Sequence, residues 1–155
     1  MDDVGAALAL HVLAIVVWIG GVALVTTVLL PAVRDLKRPE EQVAFFVAVE
    51  RRFAWQARAA SLLAGASGFY MVHRLGLWGD FLLPEFWWLD AMAGLWLLFV
   101  VVLFVAEPLF LDRWFESRAR LAPARTLALV QRVHWVLLIL SLLTVAGAAA
   151  GSHGL

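Results

Sequence analysis

Four long runs of apolar residues dominate the chain, and each is long enough to cross a membrane. They cover about 6–33, 53–73, 87–110 and 133–150. A spanning α-helix needs about 20 mostly apolar residues, so each run predicts one transmembrane helix. Together the runs predict an all-α fold, an integral membrane four-helix bundle that forms a single domain over residues 1–155.

The polar segments between the runs indicate where the helices begin and end. Pro39, followed by two glutamates, suits the first turn of a helix. We expect that helix to approach the membrane at its surface and to continue into the second run. The stretch 74–86, with two glycines and Pro84, predicts a loop, and the stretch 112–125 predicts a short polar connection. Pro123 suits the start of the last helix.

The basic residues predict the orientation. Eleven of the twelve lysines and arginines fall around the first and third connections, and Arg74 alone lies in the second. Basic residues concentrate on the cytoplasmic side of membrane proteins, which places both termini and the second loop outside.

Composition agrees with the apolar runs and excludes several classes of function. Hydrophobic residues make up 64% of the 155 residues, whereas soluble domains are roughly half apolar. The formal net charge is zero, which gives no indication of nucleic-acid binding. The chain has no cysteine, which excludes disulfides and thiolate metal sites. Asp2 and Asp3 are not typical of a cleaved signal peptide, so we expect a mature N-terminus.

Polar side chains near the outer ends of the predicted spans are the first candidates for a site, because ionisable groups in lipid are costly and are often functional. His11 and Met92 lie at similar depths on the first and third helices, and such a pair suits haem iron or copper(I). His73 is the alternative partner, and Asp90 is a further candidate metal ligand. Each also has a simpler interpretation: a helix–helix hydrogen bond for His11, core packing for Met92, solvation for His73 and His153, and an interface anchor for Asp90.

A second group lies near the inner face: Arg52, Arg58, Glu107, Arg132 and His134. We expect Arg58, Arg132 and Glu107 to snorkel or to pair across helices, with Arg58 and Glu107 at similar depth. His134 is expected to be interfacial. Alternatively, Arg52 or Arg58 binds an anionic group such as a haem propionate or a lipid phosphate.

Tryptophans are frequent, with eight in the chain, and most lie where interface belts are expected. Trp18 and Trp96 lie deeper in the predicted spans. Either can form the wall of a flat cofactor site, or can pack against lipid or protein.

Four short motifs resemble the HemJ-type protoporphyrinogen oxidases and their copper-resistance D (CopD-like) relatives. The first is Leu-His-Val at 10–12 with Trp18 and Gly21, and the second is the Glu-Arg-Arg segment at 49–53. The third is the Gly-aromatic helix end at 68–71. The fourth is the stretch 88–92, which begins with Trp and ends with Met92 where the HemJ type carries a Lys. The resemblance covers most of the chain.

This resemblance implies a haem b site with His11 as an axial ligand and Met92 in the position of the second ligand. Loss of the Lys removes a cation, which puts the oxidase activity in doubt. The copper-resistance relatives imply copper handling instead, although the chain has only three methionines.

We therefore expect a haem b-binding protein for electron transfer or oxidation–reduction, in multi-pass form in a bacterial inner membrane. A copper-handling protein is the first alternative, and a cofactor-free structural or assembly subunit is the second. Expected partners are membrane lipid and a redox partner or a quinone- or porphyrin-type small molecule. The sequence leaves open the catalytic residues and whether the chain forms a homo-oligomer.

Overall fold

The computed structural model describes residues 3–36 and 38–151, which are helical almost throughout. Four helices follow one another: α1 over Asp3–Arg34, α2 over Pro39–Leu75, α3 over Pro84–Leu121 and α4 over Pro123–Gly151. A short 3-10 turn, Leu77–Asp80, lies between α2 and α3. None of the described residues lies in a β-strand, which confirms the all-α prediction. His153 lies outside the described residues.

Three of the helices, α1, α3 and α4, are long and apolar enough to cross a membrane, judged by length and composition. Their most apolar stretches are only 33%, 17% and 11% buried, so most of their apolar surface faces outward. Apolar exposure on this scale suits contact with lipid. Helix α2 has 37 residues but is not among the three. Small and polar residues, with Arg58 in the middle, lower its hydropathy.

Polar contacts at the helix ends show that α1 runs antiparallel to both α2 and α4. At one end Asp3 accepts a hydrogen bond from Tyr70 (2.9 Å) and forms an ion pair with Arg74 (2.6 Å), which joins the start of α1 to the end of α2. At the other end Arg34 donates to the Gln131 side chain at 2.7 Å, which joins the end of α1 to the first half of α4.

At four glycines, an aromatic ring of a neighbouring helix lies directly against the backbone. A Cβ atom at any of these positions would overlap the ring. Small residues allow helices to pack closely in lipid, where hydrophobic burial gives no driving force. The pairs are Gly21 with Phe53, Gly65 with Trp96, Gly147 with Trp87, and Gly151 with Trp88.

The structure confirms the predicted start of one helix and extends another beyond its predicted end. Helix α2 does begin at Pro39 and continues through the second apolar run, as expected. The predicted polar connection at 112–125 is mostly helical: Asp112–Leu121 continues α3, and Ala122 alone separates it from α4. Arg118 and Arg120 lie in the last turn of α3, where positive charges complement the helix dipole.

Two prolines lie within helices, and each follows or interrupts a π-helical segment. The segments are Val25–Leu29, before Pro31, and Val102–Leu111, which contains Pro108. In a π-helix each carbonyl accepts from the N–H five residues later. For Leu103 that residue is Pro108, which has no N–H. The Leu103 carbonyl is therefore available to another donor.

Candidate functional site

His11 is held by helix α2 in one orientation. Its Nδ1 atom lies 2.8 Å from the Ala64 carbonyl oxygen and 3.2 Å from the Ser67 hydroxyl. A carbonyl oxygen only accepts hydrogen bonds, so Nδ1 carries the proton and Nε2 keeps a free lone pair. The ring lies against Gly68, where a Cβ atom would stand 3.0 Å from its Cε1. A His that donates one ring N–H to a backbone carbonyl is typical of metal and haem ligands.

Met92 lies on α3 one turn before Trp96, on the same side of that helix. Trp96 donates its Nε1–H to the Ser61 carbonyl of α2 at 2.9 Å. Because α2 and α3 run antiparallel, Met92 lies about one turn further toward the end of the bundle where His11 lies. The similar depth that the sequence indicated is compatible with this packing, while a contact between His11 and Met92 stays a prediction.

The structure does not bring His73 to the same place. His73 is exposed near the end of α2. It lies nine residues after Ala64, which is roughly half a turn in angular position at about 100° per residue, so it points away from the His11 contact.

Asp90 has a local partner in the loop before α3. Its carboxylate oxygens accept from the Leu82 N–H at 3.1 and 3.3 Å. Leu82 has a φ of 65°, the left-handed region that non-glycine residues rarely adopt. Asp90 therefore stabilises this turn.

The expected pairing of Arg58 with Glu107 is present. Arg58 Nη2 donates to Glu107 Oε1 at 3.1 Å, and Arg58 Nε donates to the Leu103 carbonyl at 3.0 Å. That carbonyl is the one left without a helical donor by Pro108. The guanidinium of Arg58 is thus occupied by α3. Arg52, in contrast, is exposed.

A cavity of about 530 Å³ lies between all four helices, in the half of the bundle away from His11. Its walls are mainly apolar and aromatic, and Trp18 of α1 and Leu137 of α4 are among them. Pockets of this size are in the range that binds small organic molecules. The sequence placed the candidate cofactor site in the outer half, so this cavity was not expected.

Trp18, which lines this cavity, carries an unsatisfied donor in the packed core. Its side chain is 4% exposed and packs edge-on against Phe99, with ring centroids 4.8 Å apart. Its indole Nε1–H is buried and has no hydrogen-bond partner among the described residues. A buried donor left unpaired costs about 1–3 kcal/mol, so such groups call for an explanation.

Sequence analysis missed one polar residue of the cavity, Glu50, and interpreted another, His134, as interfacial. Glu50, in the part of α2 before the predicted span, lines it together with His134 of α4. Burial, with the nearby carboxylates of Glu107 and Asp112, raises the pKa of Glu50 from 4.5 to about 7. His134 has its Nδ1 atom 2.9 Å from the Val130 carbonyl of its own helix. Helical periodicity could have placed Glu50 on the side of α2 that carries Ala54 and Ala57, but the cavity itself needs all four helices.

Among the described residues, no three His, Asp or Glu side chains lie close enough to hold a metal ion together. A copper site built from several such side chains is therefore not apparent in this part of the chain. His11 with Met92 is a two-ligand arrangement and is a separate case.

Comparison with known proteins gives no family assignment: no family model, no curated protein and no solved structure matches the chain. The fold defines the class only as a helical protein with the features of a membrane protein.

Proposed function

We propose that the chain is a four-span protein of a bacterial cytoplasmic membrane, with both termini outside, that binds haem b for electron transfer. The asymmetry of the basic residues supports the orientation. Helix α2 is the least apolar of the four, but it packs against α1 with small residues and pairs its partly buried Arg58 with Glu107. Intramembrane charges that face the bundle and pair there are compatible with a spanning helix.

The orientation of His11 supports the haem proposal more than any other feature. The Ala64 carbonyl fixes the Nδ1–H tautomer and leaves Nε2 as the ligand atom. Met92 is the proposed second ligand, and a His/Met pair gives a haem of high reduction potential. Bound haem b would supply one-electron transfer between the ferric and ferrous states. His11 and Met92 would hold it, and Gly68 leaves room for the His11 ring against α2.

Arg58 is not part of the proposed site. Its charge is already paired with Glu107 and its Nε–H is used by the Leu103 carbonyl, so it has little left to offer a propionate. The redox partner is not specified by any residue near His11.

The visible spectrum of the purified protein tests the proposal. A Soret band with a sharp reduced α-band is expected, and His11→Ala should abolish it. His134→Ala is the matched control, because His134 also bonds a backbone carbonyl through Nδ1 but lies in the inner half. Met92→Leu should keep the haem but change its spin state and lower its potential. Helicity and elution volume should confirm that each variant is folded.

Other outcomes would replace the proposal. A colourless protein that retains stoichiometric copper would favour the copper-handling alternative, and a colourless, metal-free protein would favour a structural subunit. If His73→Ala alters the spectrum while Met92→Leu does not, His73 is the second ligand. If His11→Ala retains full haem while His134→Ala loses it, the haem lies in the inner cavity.

A further inference from the structure

The cavity between the four helices carries a second inference, which does not rest on the proposed haem site. It lies away from His11, since Trp18, on its wall, is about two helical turns further along α1. At about 530 Å³ it has room for a small organic molecule. Much of its wall is aromatic: Phe46, Phe53, Phe99, Phe110, Trp114 and Phe115.

The cavity is partly open to its surroundings, and both apolar and charged residues of its wall are exposed. The exposed apolar residues belong to α3 and α4, and the most exposed of them is Phe110, at 65%. Arg51, Asp112 and Glu116 are exposed as well. A molecule with an apolar part and a polar part can therefore reach the cavity from the membrane boundary.

The wall carries more carboxyl groups than cations. Arg51 is the one lysine or arginine on the described wall. Glu107 is neutralised by its ion pair with Arg58. Asp112 and Glu116 are exposed, so water and salt screen much of their charge. The remaining carboxyl group of the wall is that of Glu50.

Glu50 lacks a counterion. It is half-buried, and no ion pair among the described residues includes it. Burial, together with the carboxylates of Glu107 and Asp112, raises its pKa to about 7, and Arg58 and Arg51 offset this only in part. A positive charge beside Glu50 would stabilise its ionised form.

The rest of the wall indicates what kind of cation fits. Among the described residues, no three His, Asp or Glu side chains lie close enough to hold a metal ion together. Hard metal cations take about six oxygen ligands, which this wall does not offer. Aromatic ring faces, in contrast, attract organic cations and also bury their apolar groups. The cavity therefore suits a cation that brings its own apolar surface.

We propose that the cavity binds a lipophilic organic cation, such as a quaternary ammonium or phosphonium ion, with its charge beside Glu50 and its apolar groups between the aromatic side chains of the wall. The charge of Glu50 favours the cation over a neutral molecule and opposes an anion of the same shape. The apolar walls favour a cation with aromatic or alkyl groups over a hydrophilic one.

The test uses two ions that have nearly the same size and shape but opposite charge, tetraphenylphosphonium and tetraphenylborate. Their binding to the purified protein in lipid nanodiscs is measured by equilibrium dialysis at pH 8. Empty nanodiscs give the partition of each ion into lipid, which is subtracted. The phosphonium should bind saturably at one site per chain, and tetraphenylborate should show no binding above that of empty nanodiscs. Triphenylphosphine oxide, which is neutral, should not displace the phosphonium.

Two pairs of variants test the two parts of the site. Glu50→Gln keeps the shape of the side chain and removes its charge, so it should weaken phosphonium binding about tenfold or more. Glu40→Gln, an exposed carboxylate of the same helix that is not on the wall, should leave the affinity unchanged. Phe110→Leu removes a ring face and should weaken binding about two- to fivefold. Phe104→Leu, also exposed on α3 but off the wall, is its control.

The pH dependence identifies the group that meets the cation, because the charge of the phosphonium does not change with pH. Because Glu50 ionises near pH 7, the affinity should rise between pH 5.5 and pH 8 in the wild type, and stay low and nearly constant in Glu50→Gln. His134→Ala should keep the rise. Other charged or titratable groups near Glu50 lie on three helices, Arg51 and Arg58 on α2, Glu107 and Asp112 on α3, and His134 on α4. Helix α1 contributes Trp18 and Val22 to the described wall.

The proposal is overturned if the phosphonium does not bind saturably, if tetraphenylborate or the neutral oxide binds as tightly, or if Glu50→Gln binds like the wild type. Circular dichroism should show that Glu50→Gln is folded under the conditions of the dialysis. Repeating the titration with His11→Ala keeps the two proposals separate, and unchanged phosphonium affinity is expected whether or not haem is lost. Binding that is lost in His11→Ala but retained in Glu50→Gln would place the cation outside this cavity.

Discussion

The ion pair between Arg58 and Glu107 offers the sharpest test of how this bundle is held together. It joins α2 to α3 where the π-helical segment of α3 frees the Leu103 carbonyl. The perturbation is Glu107→Gln, made in the wild type and in Arg58→Gln. Glutamine keeps the shape of the side chain but removes the negative charge.

The expected loss of stability follows from the burial of the Arg58–Glu107 pair. The side chains of Arg58 and Glu107 are 22% and 12% exposed, so the pair is largely removed from water. Breaking a fully buried pair costs about 3–5 kcal/mol, because the remaining charge is left uncompensated. Partial exposure and the remaining Arg58 bond to Leu103 reduce this, and we expect a loss of about 2 kcal/mol for Glu107→Gln. In the Arg58→Gln background the same change removes a lone buried carboxylate and should cost close to nothing or stabilise.

The assay is reversible unfolding by sodium dodecyl sulfate in mixed micelles, followed by circular dichroism. The double-mutant cycle should give a coupling energy of about 1–2 kcal/mol, within the range for residues in direct contact. Arg38 and Glu41 form the control pair, at 3.4 Å but with side chains 76% and 53% exposed. Their coupling should stay below about 0.5 kcal/mol. If Glu107→Gln has the same effect in both backgrounds, the two charges do not stabilise one another.

Three further predictions follow from the topology, the cavity and the loop. Reporter fusions at Gly79 should report outside and fusions at Ala122 inside, and the reverse pattern would contradict the proposed orientation. Because the pKa of Glu50 is raised, the stability that its neutral form gives is complete below pH 4.5 and is lost as the pH rises through about 7. Glu50→Gln should therefore match the wild type at pH 4.5 and exceed it by up to about 3 kcal/mol at pH 8, in the same unfolding assay; a constant difference would show that Glu50 is not perturbed. Leu82→Gly should stabilise by about 0.5–1 kcal/mol, because glycine relieves the positive φ while the exposed Leu82 side chain packs little; a lower unfolding midpoint would contradict this.

The runs of apolar residues predicted the helices well. The first run, the loop after α2 and the start of α4 at Pro123 agree with the structure. The stretch 112–125 was predicted as a polar connection, and its helical conformation over 112–121 was not predicted. Hydropathy distinguishes segments that suit lipid from segments that suit water, but it does not by itself distinguish a helix from a loop.

The sequence by itself determined the all-helical character, the three strongly apolar helices and the partnership of Arg58 with Glu107. Each depends on positions along one helix or on depth, which follows from counting residues at a rise of about 1.5 Å. Only the tertiary structure decided that Ala64 orients His11, that His73 faces elsewhere, and that Trp18 and Glu50 line one cavity. These depend on how each helix is rotated about its axis and on which helices are neighbours. Side-chain packing at glycine contacts and unpaired backbone carbonyls fix that rotation, and residues far apart in the chain supply both.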